Sequence, residues 1–423
     1  MGKTQFKQEF MFKSQPVAID LFAGCGGFSL GFEMAGFSVP LSIDIDAWAC
    51  DTLRYNHPEM TVIQHDIRDF NSASSVKEIC ILKPDIVMGG PPCQGFSIAG
   101  PAAKDPKDPR NTLFINFAQW IDFLEPKAFV MENVKGLLSR KNTEDRKVID
   151  IIKETFENLG YFVEIWLLNA AEYGVPQNRE RIFIVGNKQG QELGVPPKTH
   201  SLNLLNIRRY QLSVFENNAL LPSLSLWDAI SDLPSLNACE GEEEQPYISE
   251  PYNNYQRWIR NGSNILYNHV AMDHSKRLVE RFKHIKWGES SSDAPKEHRA
   301  KRRGGNGELS EINYDQNNRR LNPYKPSHTI AASFYANFIH PFQHRNLTAR
   351  EGARIQSFPD TYRFLGKKTV VSHKLLHREK RFDEKFLCQY NQIGNAVPPV
   401  LAKSIALHIQ EKLELCPQLI ETL

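Results

Sequence analysis

The first 190 residues alternate short apolar runs with amphipathic stretches. Continuous apolar runs at Val17 to Phe22, Val39 to Ile45, Ile86 to Met88, Ala128 to Met131, Val163 to Leu168 and Ile182 to Val185 predict six buried strands. Between them, Ser29 to Ala35, Ala47 to Tyr55, Leu113 to Leu124 and Val148 to Leu159 carry helical spacing. Strands and helices in alternation predict an α/β fold with a doubly wound, largely parallel sheet.

Past residue 190 the rhythm stops. Pro196-Pro197, Pro222, Pro234, Pro246 and Pro251 punctuate the chain, with an acidic run at Glu240 to Glu244. Asn268 to Lys286 reads as helical, a basic cluster follows at His298 to Arg303, and Gly304, Gly305 and Gly307 predict a loop. A second basic stretch, Lys367 to Arg381, precedes a final helix at Val400 to Leu413. The change in texture places a domain boundary near residue 190. No internal repeat is visible.

Composition changes this picture little. The 423 residues carry a net charge of only +2, which neither demands a nucleic-acid partner nor excludes one, because a local basic face can hide in a neutral total. No run of 18 apolar residues is present, and Met1 to Phe12 lacks the apolar stretch of a signal peptide, so no membrane association is expected. The seven cysteines (Cys25, Cys50, Cys80, Cys93, Cys239, Cys388 and Cys416) stand singly without a C-x-x-C pair. A disulfide framework or a metal site is therefore not expected, and a reducing cytosol is.

Four segments carry candidate chemistry. Asp20-Leu-Phe-Ala-Gly24-Cys-Gly26-Gly27 ends the first strand and opens a helix, and Asp44 follows Gly24 by 20 residues. That spacing suits a ribose-containing cofactor without separating NAD from S-adenosylmethionine. Gly89-Gly90-Pro91-Pro92-Cys93-Gln94-Gly95 follows the strand at Ile86, which puts Cys93 at a strand end, where ligands of parallel sheets bind. A thiolate there is a strong nucleophile. Met131-Glu132-Asn133-Val134 ends the next strand and can bring a carboxyl group to the same pocket. In Gln177-Asn-Arg179-Glu-Arg181, alternate positions point one way, so both guanidinium groups face one side, where they suit phosphate or a carbonyl oxygen.

In this order the segments resemble the DNA cytosine-5 methyltransferase family, particularly the bacterial modification enzymes. Arg345-Asn-Leu-Thr-Ala-Arg350-Glu351-Gly-Ala-Arg354-Ile-Gln-Ser-Phe-Pro359-Asp360 is similar to its ninth conserved block, and Gln392-Ile-Gly394-Asn395-Ala-Val397-Pro-Pro to its tenth. The resemblance covers most of 17 to 190 and 320 to 410 and fades between. It implies a Rossmann-like sheet that binds S-adenosylmethionine over 1 to 190, completed by 391 to 423, and a smaller target-recognition domain over 191 to 390.

The resemblance further implies that Cys93 adds to carbon 6 of a flipped-out cytosine in double-stranded DNA while Glu132 holds the ring and its amine. Arg179 and Arg181 would contact the base carbonyl and nearby backbone. Phe22, Gly24, Gly26, Asp44, Ile45, Asp66, Pro92, Asn395 and Val397 would line the cofactor site, with Asp44 on the ribose, Ile45 on adenine and Asp66 on its amine. The family more often carries Glu where Asp44 stands, and the Lys367 to Arg381 stretch separates the last two blocks by more than is common, either as a phosphate-contacting loop or as a solvated insertion, the latter being favoured. A monomer in the bacterial cytoplasm, associated with the nucleoid through DNA, is expected, with a cognate restriction endonuclease acting on the same site but not in a stable complex. A tRNA-directed relative is the alternative, although its recognition region is smaller. A binding module without catalysis would lack Cys93 or Glu132, and an NAD enzyme has no use for Pro-Pro-Cys-Gln.

Overall fold

The computed structural model describes residues 15–79, 83–92, 113–142, 144–204, 220–299, 317–369, 373–381 and 386–415. At its centre lies a seven-stranded sheet built from β1 (Val17–Leu21), β2 (Ser38–Asp44), β3 (Thr61–Gln64), β4 (Ile86–Gly89), β5 (Ala128–Val134), β6 (Phe162–Asn169) and β8 (Glu180–Asn187). The two-residue β7 (Gln177–Asn178) lies outside it and pairs with Ser327–His328. The sheet order is β3-β2-β1-β4-β5-β8-β6, so the order reverses between β1 and β4. All six expected strands form. The short strand β3, whose four residues are all partly or fully exposed, was not expected.

One strand departs from the parallel rule. β8 runs antiparallel to both β5 and β6, with Glu132 opposite Phe183 and Val134 opposite Arg181. Its apolar run reads like any buried strand, and direction leaves no mark on hydrophobicity.

Successive residues of each strand feed two different cores. Ala18, Ile86, Met88, Ala128 and Val130 pack on one face with α1 (Gly27–Met34) and the helix Pro399–Lys412, through Phe28, Phe32, Leu401 and Ile405. Ile19, Val87, Phe129 and Met131 pack on the other with Phe117, Ile121, Ile152 and Phe156 from the helices Leu113–Leu124 and Val148–Asn158. The C-terminal helix thus completes a layer begun by the first 190 residues.

A third core gathers residues from 226–272 and 321–396, among them Leu226, Ile259, Leu266, Phe334, Leu347, Phe358 and Tyr390. Buried charge ties it together: Arg354 donates to both Asp232 and Asp360, and Arg345 makes a two-pronged bridge to Glu351 at 2.8 and 2.7 Å. The expected helix from Asn268 to Lys286 does not form as such. Ile265–Val270 is a strand paired antiparallel with Gly241–Pro246, and only Lys276–Lys283 is helical, starting where the Ser275 hydroxyl accepts from the Leu278 amide. The strand's partner comes from a segment that local spacing cannot reveal. Among the described residues no helix is long and apolar enough to cross a membrane.

Candidate active site

Where the sheet order reverses, the carboxyl ends of the strands open into a cavity of about 660 Å³. Such crevices are where open α/β sheets bind ligands. Phe22, Gly24, Asp44, Ile45, Asp66, Pro92, Glu132, Arg179, Arg181, Asn395 and Val397 all line it. Gly26 is not among its walls. It begins α1 at a φ of 84°, and a Cβ there would sit 2.5 Å from the Leu53 side chain and 2.7 Å from the Tyr362 hydroxyl. Gly26 therefore serves the turn and its packing. Residues 93–112, Cys93 among them, lie outside the described residues, and Pro91 and Pro92 line the cavity wall.

β1 ends in a strained turn: Phe22 holds a left-handed φ of 60°, uncommon for a bulky residue. Asp20, the fourth residue of β1, is buried; its Oδ2 accepts from the Ser29 amide and hydroxyl at 3.1 and 2.6 Å. Its Oδ1 is buried without a partner. Burial pushes the Asp20 carboxyl up to about 7. At the end of β2, Asp44 accepts from the Gly24 amide at 2.7 Å and the Asp46 amide at 2.8 Å, and burial raises it to about 6. Ile45, beside it, is 61% exposed although apolar, which leaves a hydrophobic side chain bare on the cavity wall.

Asp66 lies at the rim and is already engaged. The Arg68 guanidinium bridges both its oxygens at 2.9 and 3.0 Å and holds its carboxyl below the usual range.

Because β4 and β5 are neighbours with Gly89 opposite Met131, Gly90 and Glu132 emerge side by side. A Cβ at Gly90 would lie 3.6 Å from Glu132 Oε2. The other oxygen, Oε1, is 3.0 Å from Arg181 Nε, both side chains being largely buried. Asn133 donates to the Pro91 carbonyl at 3.2 Å and so fixes the approach to Cys93.

The two arginines share the cavity but not a task. Arg179 Nη1 donates to the Ile330 and Gly394 carbonyls at 2.9 and 3.2 Å, and Nη2 to the Ala396 carbonyl at 3.1 Å. Burial first, then the nearby Arg181 charge, drives its pKa well below that of free arginine. Arg179 pins segment 394–397, the end of the helix Gln389–Asn395 and the two residues after it, against the end of β7. The fit there is close: a Cβ on Gly394 would stand 2.4 Å from the Ala331 backbone.

Sequence reasoning missed Asp20, Asn133, Asp46, Arg68, Ala331, Ala332 and Leu387, all of which line the cavity. Asp20 and Asn133 lie inside segments already singled out and were within reach. Leu387 is held at the wall by contacts on both sides of its peptide: its amide donates to Asp46 Oδ2 at 2.7 Å, across most of the chain, and its carbonyl accepts from Gln392 Nε2 at 2.8 Å.

The sequence profile of the C-5 cytosine-specific DNA methylase family matches residues 17–411. The chain is 48% identical over 395 residues to the type II methyltransferase M.DdeI of Desulfomicrobium norvegicum, covering 92% of this chain and 88% of that protein. It is 37% identical over 390 residues to the type II methyltransferase M1.HphI of Haemophilus parahaemolyticus, covering 92% and 85%. Among solved structures, a prophage-encoded DNA modification methyltransferase from E. coli superposes with a TM-score of 0.68 at 24% identity over 95% of this chain and 100% of that one, a likeness of fold.

Proposed function

The chain belongs to the C-5 cytosine-specific DNA methylase family, and on that premise we propose that it methylates one cytosine within a short duplex target, with S-adenosylmethionine as methyl donor. It is a DNA cytosine-5 methyltransferase of the type II, restriction-modification kind. The observation that carries the finer reading is the single cavity that joins the Pro-Pro turn before Cys93, the Glu132–Arg181 pair and the Asp20–Asp44 carboxylates.

The residues fit that donor. The unpartnered Asp20 oxygen suits a cationic group, the Asp44 carboxylate a hydroxylated sugar, and the bare Ile45 side chain an aromatic ring. S-adenosylmethionine, when bound, would supply an electrophilic methyl carbon. Asp44 would hold the ribose on the lone pairs that Gly24 and Asp46 leave free. Asp66 would accept the adenine amine beside the Arg68 contact. Asn395 and Val397, held in place through Arg179, would close the opposite wall.

On the DNA side, a stacked base cannot enter a crevice between strand ends and segment 394–397, so the target cytosine flips out of the duplex. The Cys93 thiolate adds to carbon 6, which makes carbon 5 the nucleophile for methyl transfer. Loss of the carbon 5 proton then restores the ring double bond and expels the sulfur. Glu132 would hold ring nitrogen 3 and the exocyclic amine, offsetting the charge that develops there, and Arg181 would reach the base carbonyl from its bridge to Glu132.

Transfer of labelled methyl groups to a random duplex library, mapped by bisulfite sequencing, tests this directly. Cys93→Ser should abolish transfer while calorimetric cofactor binding stays intact. Near-normal turnover in that variant, or label in tRNA instead of duplex DNA, would overturn the reading.

A further inference from the structure

Four aromatic rings from four separate segments form one continuous surface ladder. Trp227 meets Phe342 at 4.5 Å between ring centroids, Phe342 meets Trp287 at 5.5 Å, and Trp287 meets Tyr324 at 5.6 Å. Three of them are open to solvent: Trp287 at 43%, Phe342 at 46% and Tyr324 at 64%. Exposed aromatic surface in such a cluster marks an interaction site far more often than a lone exposed ring does.

The ladder is fixed before any partner arrives. Trp287 donates its indole N–H to the Pro341 carbonyl at 2.9 Å, and the Tyr324 amide donates to the Asn322 side chain at 2.9 Å. The first two amides of the helix Leu226–Ile230 donate to the carbonyls of Lys325 and Pro323 at 2.8 and 3.0 Å, so the helix start clamps the loop that presents Tyr324. Preset rings lose little freedom on binding.

Charge identifies the partner. Across 276–299 and 317–344, the segments that carry Trp287, Tyr324 and Phe342, the sequence has ten Lys and Arg against four Asp and Glu; two of the ten, Arg281 and Arg320, are buried and donate to backbone carbonyls, and the others leave a positive excess beside these three rings. Lys286 and Lys325 adjoin Trp287 and Tyr324 in sequence, both are exposed, and among the described residues neither ammonium has an ion-pair partner. Lysine is depleted in the cores of protein–protein interfaces, while phosphate-binding surfaces rely on it. Position agrees. Tyr324 precedes Ala331, a wall residue of the catalytic cavity, by seven residues, so even a fully extended chain keeps it within about 25 Å of that wall. That is less than one turn of B-DNA, about 34 Å.

We infer that Trp287, Tyr324 and Phe342, flanked by Lys286 and Lys325, form a rigid contact surface for the duplex beside the flipped cytosine. The rings pack on sugars and base edges and the lysines hold phosphates. The inference rests on the proposed DNA-methylating function and adds a surface that the catalytic cavity does not supply.

Fluorescence anisotropy with a labelled 30-base-pair duplex carrying the site methylated by the unaltered protein tests it, with S-adenosylhomocysteine present. Tyr324→Ala and Trp287→Ala should each weaken duplex binding about tenfold. The Lys286→Gln, Lys325→Gln double variant should lower the slope of log affinity against log salt by about two. Cofactor affinity and thermal unfolding should not change for Tyr324→Ala or the double lysine variant, whose altered side chains are exposed. In parallel, duplexes scanned with 5-iodouracil should photocrosslink to Trp287, Tyr324 or Phe342. Unchanged affinity and salt slope, with crosslinks only elsewhere, overturn the inference and leave the function standing. Failure of the unaltered protein to bind duplex DNA removes both.

Discussion

Arg181 Nε stands 3.0 Å from Glu132 Oε1, diagonally across the antiparallel junction of β5 and β8, where Val134 faces Arg181 and Glu132 faces Phe183. Long side chains bridge such diagonals readily. Arg181→Ala should strand the Glu132 carboxylate, lowering methyl transfer by about two orders of magnitude and stability by about 1–3 kcal/mol. Arg181→Lys keeps the charge but not the planar fork, so it should recover stability more than turnover. Steady-state kinetics beside thermal unfolding separate the two, and unchanged kcat in Arg181→Ala would contradict the role given to the pair.

Arg179 should behave differently. Its guanidinium holds three backbone carbonyls and is wholly buried, so Arg179→Met would take this donor from all three and leave the Ala396 carbonyl with Gln356 Nε2 alone at 3.3 Å. Destabilisation of about 2–4 kcal/mol is expected, with a raised cofactor KM because segment 394–397 loses its anchor. A variant of normal stability with collapsed kcat would instead place Arg179 on the substrate.

The Asp20 carboxyl, raised by burial from 3.8 to about 7, costs the ligand-free fold stability as pH climbs. Stability from the protonated group is complete below pH 4 and is lost through pH 7. Asp20→Asn should therefore stabilise the ligand-free protein by about 2–4 kcal/mol at pH 8, with the gain vanishing toward pH 4. It should also weaken S-adenosylmethionine binding. Melting curves across this range, with and without cofactor, give the answer, and a pH-independent difference would exclude the linkage.

Sequence choice should travel with residues 190–340. In the proposed mechanism the catalytic cavity would read only the flipped base, so neighbouring bases would be read from elsewhere. Exchanging this segment for that of a relative with a known target should transfer that target, as bisulfite mapping would show. An active chimera that keeps the original site would place recognition outside the segment.

What the sequence by itself determined was local and periodic. Apolar runs fixed the six expected strands, and the turn residues around Gly24 and Pro91–Pro92 fixed which strand ends carry chemistry, because hydrophobic period and backbone restriction act over a few residues. Tertiary structure alone decided the rest. It ran β8 antiparallel, turned Ile265–Val270 into a strand by supplying Gly241–Pro246 as partner, and set Leu387, whose amide donates to Asp46, in the cavity wall. It also split Arg179 from Arg181: equal in sequence spacing, one found three carbonyls and the other a carboxylate. A side chain's partner across space is set by how distant segments pack, and no window of neighbouring residues contains that information.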